Sequence, residues 1–301
     1  MFGLNIDPRN DKGDPSSSDL WQLGLKLARF QYTYKYSPAS TLHFYTGEVK
    51  KLYNNKVRSL IIIDYGSLAT VQPHINDDDR KWDRYISELA KVAKQVAGQF
   101  QQYNPAYEIW NEPDDKHTTG NYRPRLKEAV FGRMLTACHD AIKKATNNKG
   151  QVIVGGLDSG DPKWFQTVLN GLNGSMPFDA VGVHPYHKQP DRSGWSCKTA
   201  NTGYAGDLLV QYYNMTHKPV WVTECGVGIG GTVAYEQAQA EYLKRFYQDV
   251  EQHQSHYVKE VVWFCYSDAM GLASESHHWG LKSGNGREKP AYKAYQALRK
   301  W

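Results

Sequence analysis

The chain of 301 residues has little cysteine and no charge block of one sign. Its four cysteines, Cys138, Cys197, Cys225 and Cys265, show neither CxxC nor Cys/His spacing. That argues against a zinc site and against a disulfide scaffold, and leaves one loop bridge open. No apolar stretch reaches the roughly 18 residues of a membrane span, so no membrane insertion is expected. The N-terminus lacks the charged and apolar regions of a signal peptide. Localisation stays open: secreted or periplasmic if a leader was removed, cytoplasmic otherwise. The 36 basic and 31 acidic residues leave a net charge of +5. Basic pairs such as Lys143-Lys144 and Lys244-Arg245 are spread along helical segments, so no nucleic-acid partner is expected. The segment Asp7-Pro8-Arg9-Asn10-Asp11-Lys12-Gly13-Asp14, after the first apolar run, lacks GxGxxG. That argues against an open dinucleotide-binding sheet. No repeat, low-complexity tract or linker divides the chain, so one domain over 1–301 is expected.

What the chain does have is aromatic residues, 9 Trp and 21 Tyr. Most of these suit a large core. The remainder suit a cleft in which flat rings stack on sugar faces. Eight short apolar runs stand at 2–6, 28–33, 57–65, 107–111, 152–157, 180–184, 220–224 and 261–266. Ser59-Leu60-Ile61-Ile62-Ile63-Asp64 is nearly continuous, the pattern of a strand buried on both faces. Amphipathic segments lie between the runs, most clearly at 79–101, 126–146 and 235–253. Shorter helical stretches follow Asp19, Phe44, Pro162 and Gly203, and a last helix spans 290–301 with proline near its start. Eight strands alternating with eight helices predict an α/β fold, a single-domain (β/α)8 TIM barrel.

Active sites of such barrels lie at the C-terminal ends of the strands. Run four ends Glu108-Ile109-Trp110-Asn111-Glu112-Pro113-Asp114, and run seven ends Trp221-Val222-Thr223-Glu224-Cys225-Gly226. Each brings a glutamate to the same rim, from nearly opposite strands. One glutamate at a strand end is usually an ion-pair partner or a cap. Two in facing positions suit glycoside cleavage, in which one carboxyl donates a proton and the other attacks the anomeric carbon.

Trp110-Asn111-Glu112-Pro113 resembles the acid/base motif of clan A glycoside hydrolases, and Val222-Thr223-Glu224-Cys225-Gly226 resembles their nucleophile motif. Arg29 matches the clan's arginine near the nucleophile. Val183-His184-Pro185-Tyr186 resembles the sixth-strand His-x-Tyr, and Val262-Trp263 the eighth-strand tryptophan. The tail from Trp279-Gly280-Leu281 to Lys289-Pro290-Ala291-Tyr292 has the look of the clan's last loop and helix. The middle stretch is most similar to glycoside hydrolase family 39. It runs from Asn-Glu-Pro-Asp at 111–114 through Ala141-Ile142-Lys143-Lys144 and Val154-Gly155-Gly156 to Phe178-Asp179-Ala180-Val181-Gly182-Val183-His184.

The resemblance implies a retaining β-glycoside hydrolase with no cofactor. Glu224 would be the nucleophile and Glu112 the acid/base, with carboxyl groups about 5–5.5 Å apart. Arg29, with hydrogen bonds from Tyr186 or His184, would favour the ionised form of Glu224, and a less positive setting suits the proton-carrying role of Glu112. Asn111 would bind the sugar 2-hydroxyl, Trp263 would floor the catalytic subsite, and Trp279 would contact substrate. Asp64 and Tyr65 end the third run, where lining the cleft and capping a loop are equally open. Trp195 is either a stacking platform or a loop anchor, and His187 a subsite wall or plain surface. His277 and His278 are adjacent, but no third ligand is spaced for them, so no metal is expected. Cys225 is expected to face the packing side. The chain lacks room for the β-sandwich of family 39 exo-xylosidases, which favours an endo-acting monomer on a polysaccharide or exopolysaccharide. The alternatives are an exo-β-glycosidase walled by the loop at 188–202, a transglycosylase, and a non-catalytic carbohydrate-binding barrel. Retention of both glutamates and of His-x-Tyr argues against the last.

Overall fold

A computed structural model describes residues 2–115, 125–158, 162–186, 208–230, 233–270 and 278–298. Each of the eight apolar runs overlaps a strand, with β8 beginning three residues before its run: β1 (Phe2–Asn5), β2 (Leu27–Gln31), β3 (Arg58–Ile63), β4 (Ala106–Ile109), β5 (Gln151–Leu157), β6 (Ala180–Val183), β7 (Val220–Cys225) and β8 (Val258–Trp263). They form one closed barrel in chain order, all pairs parallel, with β1 bonded to both β2 and β8. Closure satisfies the backbone on both sides of every strand and leaves no sheet edge.

The described helices follow the strands in turn: α1 (Ser17–Leu23), α2 (Pro38–Asn54), α3 (Asp79–Phe100), α4 (Glu128–Ala145), α5 (Pro162–Gly171), α6 (Leu208–Thr216), α7 (Glu236–Asp249) and α8 (Pro290–Ala297). Their starts follow from local chemistry. Ser16, Ser37 and Asp78 each accept a hydrogen bond from a first-turn backbone N–H, satisfying a donor that has no helical partner. On α3, Trp82, Tyr85, Ile86, Leu89, Ala93, Val96, Ala97 and Phe100 are buried, the i, i+3, i+4 stripe of a helix docked on a sheet. Among the described residues no helix is long and apolar enough to cross a membrane.

Strand alternation sorts the apolar residues into two sets. Side chains such as Ala28, Ile61, Tyr107, Val154, Val222 and Trp263 face outward and pack with the helices in the main core. Leu27, Leu60, Ala106, Ile153, Ala180, Trp221 and Val262 face inward and form a separate apolar plug. Two residues further along the strands, the inward positions become Asn5, Arg29, Glu108, Gly182 and Thr223. The barrel interior is therefore an apolar layer with Arg58 against Trp221 and the buried Glu260 below it, and charged groups immediately above it, toward the strands' C-terminal ends.

Candidate active site

Residues 110–112 carry β4 past its last ladder position to Glu112. Trp110 (φ 74°) and Glu112 (φ 51°) both adopt left-handed backbone, at a cost of roughly 1–2 kcal/mol each. The Trp110 ring anchors the turn outside the barrel, 5.7 Å from Tyr65 and 6.3 Å from Tyr85. The Glu112 N–H donates to Gly156 O at 3.1 Å. β5 must be bare here. A Cβ on Gly155 would lie 2.5 Å from Ile109 O, and one on Gly156 would lie 1.8 Å from His184 Nε2. The Gly-Gly pair thus admits both the β4 turn and the His184 ring.

Glu224 reaches the cleft by a different device. β7 carries one more residue than β8 between Val222 and Cys225, a bulge that re-aims side chains. Thr223 and Glu224 both turn inward, and Cys225 returns to the core between sheet and helices, as the sequence implies.

Arg29 organises the floor of the site, and all five of its N–H groups are used. Nε and Nη2 donate to Glu108 at 2.5 and 3.1 Å. The second Nη2 hydrogen goes to Asn111 Oδ1 at 2.7 Å. Nη1 donates to Asn5 Oδ1 at 2.9 Å and to Glu224 Oε1. Tyr186 Oη donates to the other Glu224 oxygen. His184 Nδ1 lies 2.9 Å from Glu112 Oε1, and its Nε2 lies 3.1 Å from Thr223 Oγ1.

These contacts set the titration. Burial pushes the Glu224 carboxyl up, but the charges of His184 and Arg29 and the hydrogen bonds from Tyr186 and Arg29 outweigh it, leaving it below the usual carboxylate range. Tyr186 is driven well above the phenol range by burial and by Glu224. For His184, burial pulls down, while the charge of Glu224 and the hydrogen bond to Glu112 raise it overall. Asp158, at the end of β5, is pushed up to about 7 by burial and by the negative charge of Glu112.

The structure thus brings Glu112, Glu224, Arg29, Asn111, His184 and Tyr186 together. Trp279 joins them, its ring 5.1 Å from Tyr186. One expected position is corrected, and the alternatives left open at Asp64 are separated. Trp263 is fully buried outside the barrel, 6.1 Å from Tyr242 of α7, because alternation points it away from inward-facing Val262. The ring beside the site is Phe264, 6.3 Å from Tyr186 and 6.2 Å from Trp279. Asp64 is fully buried and accepts from Gln31 Nε2 and Gly66 N, so it caps the turn after β3 rather than lining the cleft. Tyr65 packs on Trp110. His278 lies 3.2 Å from Asp268. Trp195, His187, His277 and Cys197 lie outside the described residues.

Sequence pattern does not single out Asn5, Glu108, Thr223, Asp158 or Phe264. One signal was present for Glu108: a carboxylate inside a run buried on both faces must meet a cation. Donor atoms of Glu112, His184 and Glu224 lie within 4.8 Å of one another, close enough to ligate a cation. Each of these side chains already has a hydrogen-bonding partner, however, and the permanent charge of Arg29 occupies the same space.

Among solved structures, an exo-β-1,4-mannosidase from Opitutaceae bacterium strain TAV5 superposes with TM-score 0.69 at 14% identity. The match covers 99% of this chain and 59% of that one, so the chain spans under two thirds of the mannosidase's length. A GH5_18 protein from Streptomyces cattleya in complex with GlcNAc gives 0.74 at 17%, covering 100% and 80%. ZgEngAGH5_4 in complex with a cellotriose gives 0.64 at 16%, covering 98% and 94%. These likenesses establish the barrel fold. No curated protein matches the sequence. The family model for Cellulase (glycosyl hydrolase family 5) matches residues 16–294. It corrects the expected kinship with family 39, since Asn-Glu-Pro and the strand-seven glutamate mark the clan rather than one of its families. The chain belongs to glycosyl hydrolase family 5.

Proposed function

We propose that the chain is a retaining, endo-acting β-glycoside hydrolase of polysaccharides, with Glu224 as nucleophile and Glu112 as acid/base. One observation carries the reading. An oxygen of Glu112 lies within 4.8 Å of an oxygen of Glu224, in two different electrostatic settings. That spacing suits double displacement, which needs carboxyls about 5–5.5 Å apart. Inversion needs roughly 6.5–9.5 Å, to leave room for a water.

Glu224 attacks the anomeric carbon while Glu112 gives a proton to the departing oxygen. In the second half Glu112 takes a proton from water, the water oxygen bonds the anomeric carbon, and the ester to Glu224 breaks. Arg29 and Tyr186 keep Glu224 ionised and fix its direction of attack. Asn111, held by Arg29, faces the sugar 2-hydroxyl. Trp279 and Phe264 form the aromatic wall of the subsite.

The test is hydrolysis of aryl β-glycosides by wild type and Glu224→Ala. The expected loss is about 10⁴-fold or more, and equal rates would sink the assignment. Products from β-1,3 and β-1,4 glucans, xylan, mannan and bacterial exopolysaccharides read the linkage and the mode of action. An exo-acting enzyme is the second reading, favoured by the likeness to a protein described as an exo-β-1,4-mannosidase. A ladder of oligosaccharides supports endo action, and a single small sugar supports exo action.

A further inference from the structure

Beneath the two cleft carboxylates lies a third, Glu108, fully shielded from solvent. It is the start of a hydrogen-bonded chain that ends on Glu112. Glu108 Oε1 accepts from Gly156 N at 2.8 Å and from Thr223 Oγ1 at 3.1 Å. Thr223 Oγ1 lies 3.1 Å from His184 Nε2, and His184 Nδ1 lies 2.9 Å from Glu112 Oε1. Thr223 is fully buried and His184 nearly so, leaving water little access to these links.

Counting protons gives the chain a direction. Glu108 faces Arg29 through two N–H groups, and an ionised carboxylate only accepts. The single Thr223 hydroxyl proton therefore goes to Glu108, because a bond to a charged acceptor is about twice as strong as a neutral one. The Thr223 oxygen then accepts, and its partner must be an N–H on His184 Nε2. Arg29 Nη2 also lies 3.4 Å from Nε2, but its two hydrogens already serve Glu108 and Asn111. Among the described residues, the other charged or titratable groups around the ring are Glu224, 3.9 Å from Nδ1, Tyr186, with its ring 6.2 Å away, and Asp158 at the end of β5, which interacts electrostatically with both His184 and Glu112.

We propose that Glu108 and Thr223 are positioning residues that pin a proton on His184 Nε2, so that the proton exchanged between this ring and Glu112 is the one at His184 Nδ1. This rests on the reading of Glu112 as acid/base. In the first half-reaction that proton goes to the leaving oxygen as the glycosidic bond breaks. Glu112 then faces a bare Nδ1 lone pair and has no donor there. It is thereby set to take the proton of the incoming water. The raised titration of His184 fits a pair that holds its proton until substrate takes it.

The test is ¹⁵N NMR of histidine-labelled enzyme, with the His184 signals identified by their absence in His184→Gln. Nε2 is expected to stay protonated across the titration while Nδ1 changes. A neutral ring with its proton on Nδ1 overturns the proposal. Thr223→Val keeps the shape and removes the hydroxyl. It is expected to move the neutral proton to Nδ1, and Thr223→Ser to restore it. In kinetics, Thr223→Val should lose about tenfold more on an oligosaccharide than on a dinitrophenyl β-glycoside, which needs little acid assistance. Equal losses on both would mark a merely structural threonine and overturn the proposal. If wild type cleaves no β-glycoside, the hydrolase reading fails, while the NMR arm still decides the tautomer.

Discussion

Two inward-facing layers of one barrel lie a dipeptide apart, equally buried and opposite in chemistry. The lower layer, Leu27, Leu60, Ala106, Ile153, Ala180, Trp221 and Val262, is a buried apolar plug. The upper layer places Arg29, Glu108, Asn5 and Thr223 in equally complete burial, held by paired hydrogen bonds instead of packing. The lower layer stabilises by removing apolar surface from water. The upper layer is tolerated only because each charge meets a partner. The plug beneath keeps water out and so strengthens the electrostatics above it.

The largest effect is expected of Glu224→Ala, which should remove about 10⁴-fold or more of kcat while the circular dichroism of the fold persists. Glu108→Gln should act on both layers' properties at once. Removing one partner of a buried pair costs about 3–5 kcal/mol, read as a fall in denaturation midpoint together with a fall in kcat. Leu60→Ala should cost about 2–5 kcal/mol of stability and leave activity per folded molecule near wild type. A loss of kcat as large as for Glu108→Gln would show that the two layers are not separable. Phe264→Ala should raise KM by about fivefold, the worth of one aromatic contact, whereas Trp263→Phe should change stability and not KM. An equal KM effect at Trp263 would contradict its outward placement.

The smallest effect lies outside the barrel, at Asp19. Burial pushes its carboxyl up, but hydrogen bonds from Lys282, Ser16, Tyr266 and Tyr292 lower it from the ordinary aspartate range to about 2. A depressed folded value means its contribution is complete above the ordinary carboxylate range and is lost as pH falls toward about 2. Asp19→Asn should therefore narrow the stability gap to wild type as pH drops through that window. A gap that is constant with pH would remove the charge from the explanation.

The barrel was legible because its signals are local and repeated. Eight apolar runs, the stripe on α3 and the Ser and Asp caps each report on a few neighbouring residues. Glu112 and Glu224 were legible for the same reason, as polar residues ending such runs. Trp263 shows where this stops. Which of two adjacent residues faces the cleft is a matter of phase, and nothing near Val262-Trp263-Phe264 in the chain sets the phase. At β7, a bulge changes the phase in mid-strand and brings Thr223 and Glu224 to the same side. Asp64 shows the same limit, since its partner Gln31 comes from another strand.

Composition and periodicity sufficed for the strand count, the closed α/β order and the two carboxylates at the rim, because these depend on the residue types along each segment. The sharing of Arg29 between Glu108 and Glu224, the place of Phe264 and the chain from Glu108 to Glu112 were decided only in the folded molecule. They join side chains on or just beyond β2, β4, β6, β7 and β8 that are up to 195 residues apart. Such contacts depend on barrel register and on local bulges, and a carboxylate's chemistry depends on what those place within hydrogen-bonding distance.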